Sequence, residues 1–233
     1  MALKSITFLG TGTSQGVPVI ACHCRVCKSI DPRDKRLRSS ILIETTNGNI
    51  NIDAGPDFRQ QMLREDVQHL EAILFTHEHK DHIAGLDDVR AFNFKSKKPM
   101  EVFCTEHVYK ALCREFSYVF KPKFEYPGIP KINVTLIHKD ERIEVLNNTI
   151  TPIEVMHYKL PVMGYRIENF AYITDANFIS EEEQEKLKGL DILVLNALRR
   201  EKHISHFTLQ EALELIKKLS PKKAYLTHIS HLM

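Results

Sequence analysis

Seven residues constrain this chain more than any others: Thr76-His77-Glu78-His79-Lys80-Asp81-His82, placed directly after the apolar run Ile73-Leu74-Phe75. The apolar run reads as a buried strand, and the polar segment leaves its C-terminal end, where α/β folds place their sites. In extended chain, residues two apart point the same way, so His77 and His79 are disposed to share one metal. Asp81 and His82 then enter a turn or helix and can reach a second. The plain alternative is a polar turn with solvated imidazoles. Against it stand three His and one Asp within six residues, a dense grouping of metal-binding side chains. The run alone specifies neither the metal nor the reaction.

Other segments must supply further ligands, because a dinuclear site takes about seven or eight and this run offers four at most. Short β-rich runs recur at 3–9, 40–45, 50–53, 71–76, 100–104, 132–137, 149–156, 162–168, 170–174, 191–195 and 223–227. Three of these runs are followed by a candidate ligand: His157 after Met156, Asp175 after Thr174, and His228 after Thr227. A carboxylate such as Asp175 can bridge two cations roughly 3.5 to 4 Å apart. Helices are expected at about 56–66, 83–92 and 105–116, and capping boxes at Ser180/Glu183 and Thr208/Glu211 start two more. The last carries Leu209, Ala212, Leu213, Ile216 and Leu219 at helical spacing and stops at Ser220-Pro221.

The two halves of the chain echo each other. Ile52-Asp53-Ala54 ends a strand, a helical stretch follows, and the next apolar strand ends at His77; Thr174-Asp175-Ala176 opens the same pattern, which closes at Asn196. The echo favours two packed sheets with helices outside over one parallel sheet. A single domain spanning 1–233 is expected, with a loop-rich excursion at about 92–130 that carries Lys95, Lys97, Lys98, Lys121 and Lys123 among Phe, Tyr and Pro.

Composition removes several classes. At 43% hydrophobic and 27% charged the chain is not of the disordered type, and 32 Lys and Arg against 30 Asp and Glu create no overall basic field for nucleic acid. No apolar stretch approaches the roughly 20 residues of a membrane span, and the opening MALKSITFLGTG lacks a signal-peptide core, so a soluble cytoplasmic protein is expected. Of five cysteines, Cys22, Cys24 and Cys27 fall within six residues, a spacing that suits a metal better than a disulfide framework. Three thiolates need a fourth ligand for a tetrahedral structural zinc. His231 in Thr227-His228-Ile229-Ser230-His231 is the candidate and His23 the alternative, reduced buried thiols being the plain reading. Cys104 and Cys113 read as core residues of a strand and a helix.

The pattern H-x-H-x-D-H, followed by separated His, Asp and His, resembles the metallo-β-lactamase superfamily. The resemblance implies an α/β four-layer αββα sandwich of two similar halves. It puts His77, His79 and His157 on one metal, Asp81, His82 and His228 on the other, and Asp175 between them. It also makes Asp53 the residue that orients the ligand loop without binding metal. Gly10-Thr11-Gly12-Thr13-Ser14-Gln15-Gly16-Val17-Pro18, then C-x-C-x-x-C, then T-H-I-S-H are similar to the branch that opens phosphoribosyl 1,2-cyclic phosphate in phosphonate breakdown. Relatives with the same cysteine site include proteins linked to pyrroloquinoline-quinone synthesis. The Gly-rich stretch is no dinucleotide fingerprint, because Gln15 stands where Gly is needed, and no Gly-Lys-Ser/Thr follows for a P-loop. It reads as a tight turn, with close approach to a substrate phosphate as an addition.

The same resemblance gives His206, just before the capped helix, a role at the scissile phosphate and makes Asp81 its catalytic companion. His203, Arg199, Arg200 and Lys202 adjoin it as weaker candidates. The chain stops two residues after His231, as a shortened relative would. The implied protein is a dinuclear hydrolase that opens small cyclic phosphates, including 2′,3′-cyclic nucleotides, by attack of a metal-bridging hydroxide. Two zinc or manganese ions and one structural zinc, a small phosphodiester substrate, a homodimer and no membrane partner go with it. The rivals are an RNA-processing nuclease, disfavoured by the near-neutral charge, and a metal-holding module without turnover. Hydrolysis of β-lactams or thioesters fits the cysteine site less well. A di-iron oxidoreductase is disfavoured because that branch has a carboxylate where His79 stands.

Overall fold

The apolar runs become strands with few changes of boundary in the computed structural model, which describes residues 3–121 and 127–233. The strands β1 (Leu3–Gly10), β2 (Ser40–Thr45), β3 (Gly48–Ile52), β4 (Ala72–Leu74), β5 (Met100–Cys104) and β6 (Ile132–Leu136) form one sheet in that order. β2 and β3 are antiparallel, whereas β3, β4, β5 and β6 run parallel. Helices α1 (Phe58–Arg64), α2 (Lys80–Ile83), α3 (Arg90–Ser96), α4 (Glu106–Glu115) and α5 (Ser117–Phe120) lie in the connections of this sheet. Phe58 and Met62 of α1 and Val108 and Leu112 of α4 bury their apolar faces in one cluster with Ile73, Phe75, Ile83 and Val102. This compact unit comprises Met1–Leu9, Ser40–His138 and Val145–Asn147.

A second sheet runs in the reverse order, from β12 (Lys223–Thr227) through β11 (Ile192–Asn196), β10 (Phe170–Ile173), β9 (Leu160–Ile167) and β8 (Asn148–His157) to β7 (Ile143–Val145). β8, β9 and β10 are antiparallel and β10, β11 and β12 parallel. Helix α6 (Glu181–Glu185) is capped by Ser180, and α7 (Leu209–Leu219) by a reciprocal Thr208/Glu211 box. Their core joins Ile153, Val155, Ile173, Leu193, Leu195, Ala212 and Leu219. The unit comprises Gly10–Ser39, Lys139–Glu144 and Asn148–Met233.

The expected two similar halves are present. β3 and β10 occupy equivalent places, each antiparallel to the strand before it and parallel to the strand after it. Each is followed by an aspartate in the left-handed region, Asp53 at φ 63° and Asp175 at φ 53°. His228 after β12 shares that conformation at φ 55°. Non-glycine residues held there cost of order 1 to 3 kcal/mol and cluster at functional sites.

One expected element changes. The helix expected over 83–92 is broken into α2, a 3₁₀ turn at Leu86–Val89 and α3. Gly85 interrupts it by donating its N–H to Ala54 O at 2.8 Å. β7, only three residues long, carries too little alternation to be read in advance. Within the stretch 92–130 the strand expected at 100–104 and the helix expected at 105–116 form as β5 and α4, the latter capped by Thr105, and α5 follows. Lys123 lies outside the described residues. No described helix is long and apolar enough to cross a membrane.

Candidate metal centres

In the first unit the site grows from the ends of β3 and β4. Asp53 is fully buried, and its carboxylate accepts the Thr76 N–H and the Thr76 hydroxyl, both at 2.8 Å. Its other partner is His82 Nδ1 at 2.7 Å. Burial raises the Asp53 carboxyl above the ordinary carboxylate range, while the His82 imidazole and the Thr76 donors act the other way. The contact with Asp53 protonates His82 at Nδ1 and sets Nε2 as its lone-pair nitrogen, 3.0 Å from Asp81 Oδ2.

The Thr76 oxygen lies 3.0 Å from His77 Nδ1, and having donated to Asp53 it accepts from that nitrogen. His77 Nε2 then meets His79 Nδ1 at 3.0 Å. Two donor pairs result, His77 with His79 and Asp81 with His82. Backbone packing keeps them in place: a Cβ on Gly55 would lie 1.9 Å from Asp81 O, and one on Gly85 would lie 2.1 Å from Gly55 O. Only glycine admits this approach of Asp53-Ala54-Gly55 to α2.

In the second unit His157 at the end of β8 donates from Nδ1 to Ser205 O at 2.8 Å, which sets Nε2 as its lone-pair nitrogen. Asp175 accepts the Thr174 hydroxyl at 2.6 Å, and its Oδ1 lies 3.0 Å from His228 Nδ1. The Asn196 amide clamps the following residue through both backbone groups of Ala176, at 2.8 and 2.9 Å. His206 is buried, with ring centroids 4.5 Å from His157 and 4.8 Å from His228, the latter nearly stacked at 20°. Its Nδ1 has no hydrogen-bond partner among the described residues. Burial pushes the His206 imidazole down to about 3, outweighing the opposite pull of Asp175, and keeps the ring neutral. One ligand atom from each of His157, Asp175 and His206 falls within 4.8 Å of the others. His203 sits beside them, 5.1 Å from His206 ring to ring. Arg199 donates instead to the backbone oxygens of Glu201 and Lys202, as a solvated loop residue would.

The same unit contains the cysteine cluster. His231 Nδ1 lies 3.3 Å from Cys22 Sγ, 3.3 Å from Cys24 Sγ and 3.4 Å from Cys27 Sγ. One ring nitrogen cannot hydrogen-bond three thiols at once. A tetrahedral zinc, with bonds near 2.3 Å to sulfur and 2.0 to 2.1 Å to nitrogen, would separate each such pair by about 3.6 Å, so the four residues fit the ion. The Cys27 N–H at 3.4 Å, followed by His231, lowers the Cys24 thiol to about 6. Exposed His23 stands outside the cluster. Thr76, Asn196 and Ser205 are the supporting residues that the sequence does not reveal, since each acts through hydrogen bonds and has no spacing signature of its own.

A model of the beta-lactamase superfamily domain matches residues 48–229. A Porphyromonas gingivalis protein named octanoyltransferase is 42% identical over 225 residues, which are 96% of this chain and 45% of that protein. The chain therefore spans less than half of that relative's length. The crystal structure of a diphosphatase from the PhnP family superposes with a TM-score of 0.91 at 39% identity, covering 98% of this chain and 87% of that one. Zinc-bound PqqB from Methylobacterium extorquens shares the fold, with a TM-score of 0.78 at 19% identity over 97% and 89% of the two chains. With these matches and two halves that each end their strands in His and Asp, the chain belongs to the metallo-β-lactamase superfamily, in its PhnP-like branch.

Proposed function

We propose that the protein is a metal-dependent phosphodiesterase that opens small cyclic phosphates with a dinuclear metal centre. His77, His79 and His157 would hold one cation, Asp81, His82 and His228 the other, with Asp175 between them. The observation that carries the reading is the tautomer control. Asp53, Thr76 and Ser205 each bond Nδ1 of one histidine, His82, His77 and His157 in turn, and so fix its tautomer and orientation, which is what a metal ligand needs. Zinc suits the imidazoles, and the carboxylates of Asp81 and Asp175 also admit manganese. Cys22, Cys24, Cys27 and His231 would hold a separate structural zinc. Divalent cations bound at the dinuclear set would lower the pKa of water toward neutrality and neutralise charge on phosphoryl oxygens.

The chain's own residues supply the rest. His206 is buried, neutral and unpartnered at Nδ1, which suits hydrogen-bond donation to a phosphoryl oxygen as charge develops there. Asp53 keeps its proton-accepting side toward His82 and fixes that ring in one orientation. The PhnP-family diphosphatase supports phosphorus chemistry for this branch. Octanoyl transfer is a reading for the longer Porphyromonas protein, of which this chain matches 45%.

The test is phosphorus NMR of the metal-loaded protein with phosphoribosyl 1,2-cyclic phosphate and with a nucleoside 2′,3′-cyclic phosphate, alongside an octanoyl thioester. Ring opening of either phosphate is the expected result. Turnover of the thioester alone would replace the phosphodiester reading.

A further inference from the structure

The Gly-rich motif has a function that phosphate binding does not explain. Three short segments of the second unit pair around Gly12, which bridges in parallel to Arg38 on one side and to Ile229 on the other. Gly12 N–H donates to Leu37 O at 2.8 Å, and Gly12 O accepts the Ser39 N–H at 3.0 Å. On the far side Ile229 N–H donates to Thr11 O at 2.8 Å, and Thr13 N–H donates to Ile229 O at 3.1 Å. The amides of Gly12, Thr13 and Gly16 are therefore already committed, the last to Thr13 O at 2.7 Å. Glycine is required at the centre, because a Cβ on Gly12 would lie 2.7 Å from Arg36 O. Side chains lock the layer: Arg36 donates to the Thr11 hydroxyl at 2.9 Å, and the Ser39 hydroxyl donates to Gly12 O at 3.0 Å.

Ile229 is thus gripped at both backbone groups, and its neighbour Ser230 donates to Leu198 O at 2.9 Å. Immediately before it stands His228, in contact with Asp175, and two residues after it stands His231, amid the three thiols. The geometry points to Gly10–Thr13 as a positioning element that couples the thiolate site to the hydrolytic site through Ile229. The inference rests on reading both donor sets as metal sites. An ion on the thiolates pins His231, stiffens the Ile229 joint and holds His228 where its ligand role needs it. Thermodynamic linkage makes the effect reciprocal, so each site strengthens the other by the same factor.

The experiment titrates metal into the hydrolytic set by calorimetry and follows hydrogen exchange at the Ile229 amide in wild type, Cys24→Ser and Gly12→Ala. Both variants are expected to bind that metal at least about fivefold more weakly and to exchange Ile229 faster by a similar factor. Gly12→Ala should also lower kcat more than it raises KM, whereas a phosphate cradle would show the opposite split. Affinity within about twofold of wild type, with unchanged exchange in both variants, would overturn the coupling. Should the variants fail to fold, wild type gives the reciprocal reading. Metal at the hydrolytic set should slow transfer of the thiolate zinc to a chromophoric chelator, and equal transfer rates overturn the proposal. A cobalt-loaded wild type without thiolate charge-transfer absorption would defeat the zinc reading itself, an outcome distinct from failed coupling.

Discussion

Asp53 is fully buried, and its carboxylate bonds go to Thr76 and His82 of the 76–82 segment, so its removal should be felt twice. Asp53→Ala leaves the Thr76 donors without an acceptor and is expected to cost about 1 to 3 kcal/mol in chemical denaturation. It should also weaken metal binding on the His82 side by roughly 10- to 100-fold in a titration, as loss of an orienting carboxylate does. His206→Ala is expected to lower turnover by about 10² to 10³ while metal content stays intact. Normal turnover in that variant would sink its phosphate role. Burial pushes the Cys104 thiol up to about 12, whereas Cys24 is lowered to about 6. Ellman's reagent should therefore modify Cys24 after treatment with a chelator and leave Cys104 unmodified in the folded protein. At this scale the candidate ligands were legible because metal chemistry needs particular side chains at particular spacings, and the groups His77/His79, Asp175/His228 and Cys22/Cys24/Cys27/His231 do come together. Thr76, Ser205 and Asn196 were not, because a hydroxyl, a carbonyl or an amide can serve anywhere in a sequence.

Elements were legible where a local rule decides them. Thr208 with Glu211 announces α7, and the structure forms the full reciprocal cap. Alternation and apolar runs located eleven of the strands to within a few residues, while β7 was too short to register. The broken helix after α2 shows the limit of periodicity, since its cause is a contact between segments thirty residues apart, Gly55 and Gly85. Gly85→Ala forces a Cβ to within 2.1 Å of Gly55 O, so the backbone must shift. A loss of about 1 to 3 kcal/mol is expected from such overpacking. Because Gly55 also abuts Asp81 O, metal affinity should fall along with the melting temperature. A change in melting temperature with no change in affinity would separate the packing from the site.

For the whole molecule, the internal echo between Ile52-Asp53-Ala54 and Thr174-Asp175-Ala176 foretold two similar sheets, and β3 and β10 realise it with the same neighbours and the same left-handed aspartate. The halves have diverged in chemistry. Asp53 orients a histidine, whereas Asp175 offers its carboxylate beside His228. The proposed function requires two cations held as a pair, with Asp175 between them. Electron paramagnetic resonance of the manganese-loaded protein tests it most directly. An exchange-coupled two-manganese spectrum that collapses to a mononuclear signal in Asp175→Ala is the expected result, and an uncoupled mononuclear signal from the fully loaded wild type would contradict the account.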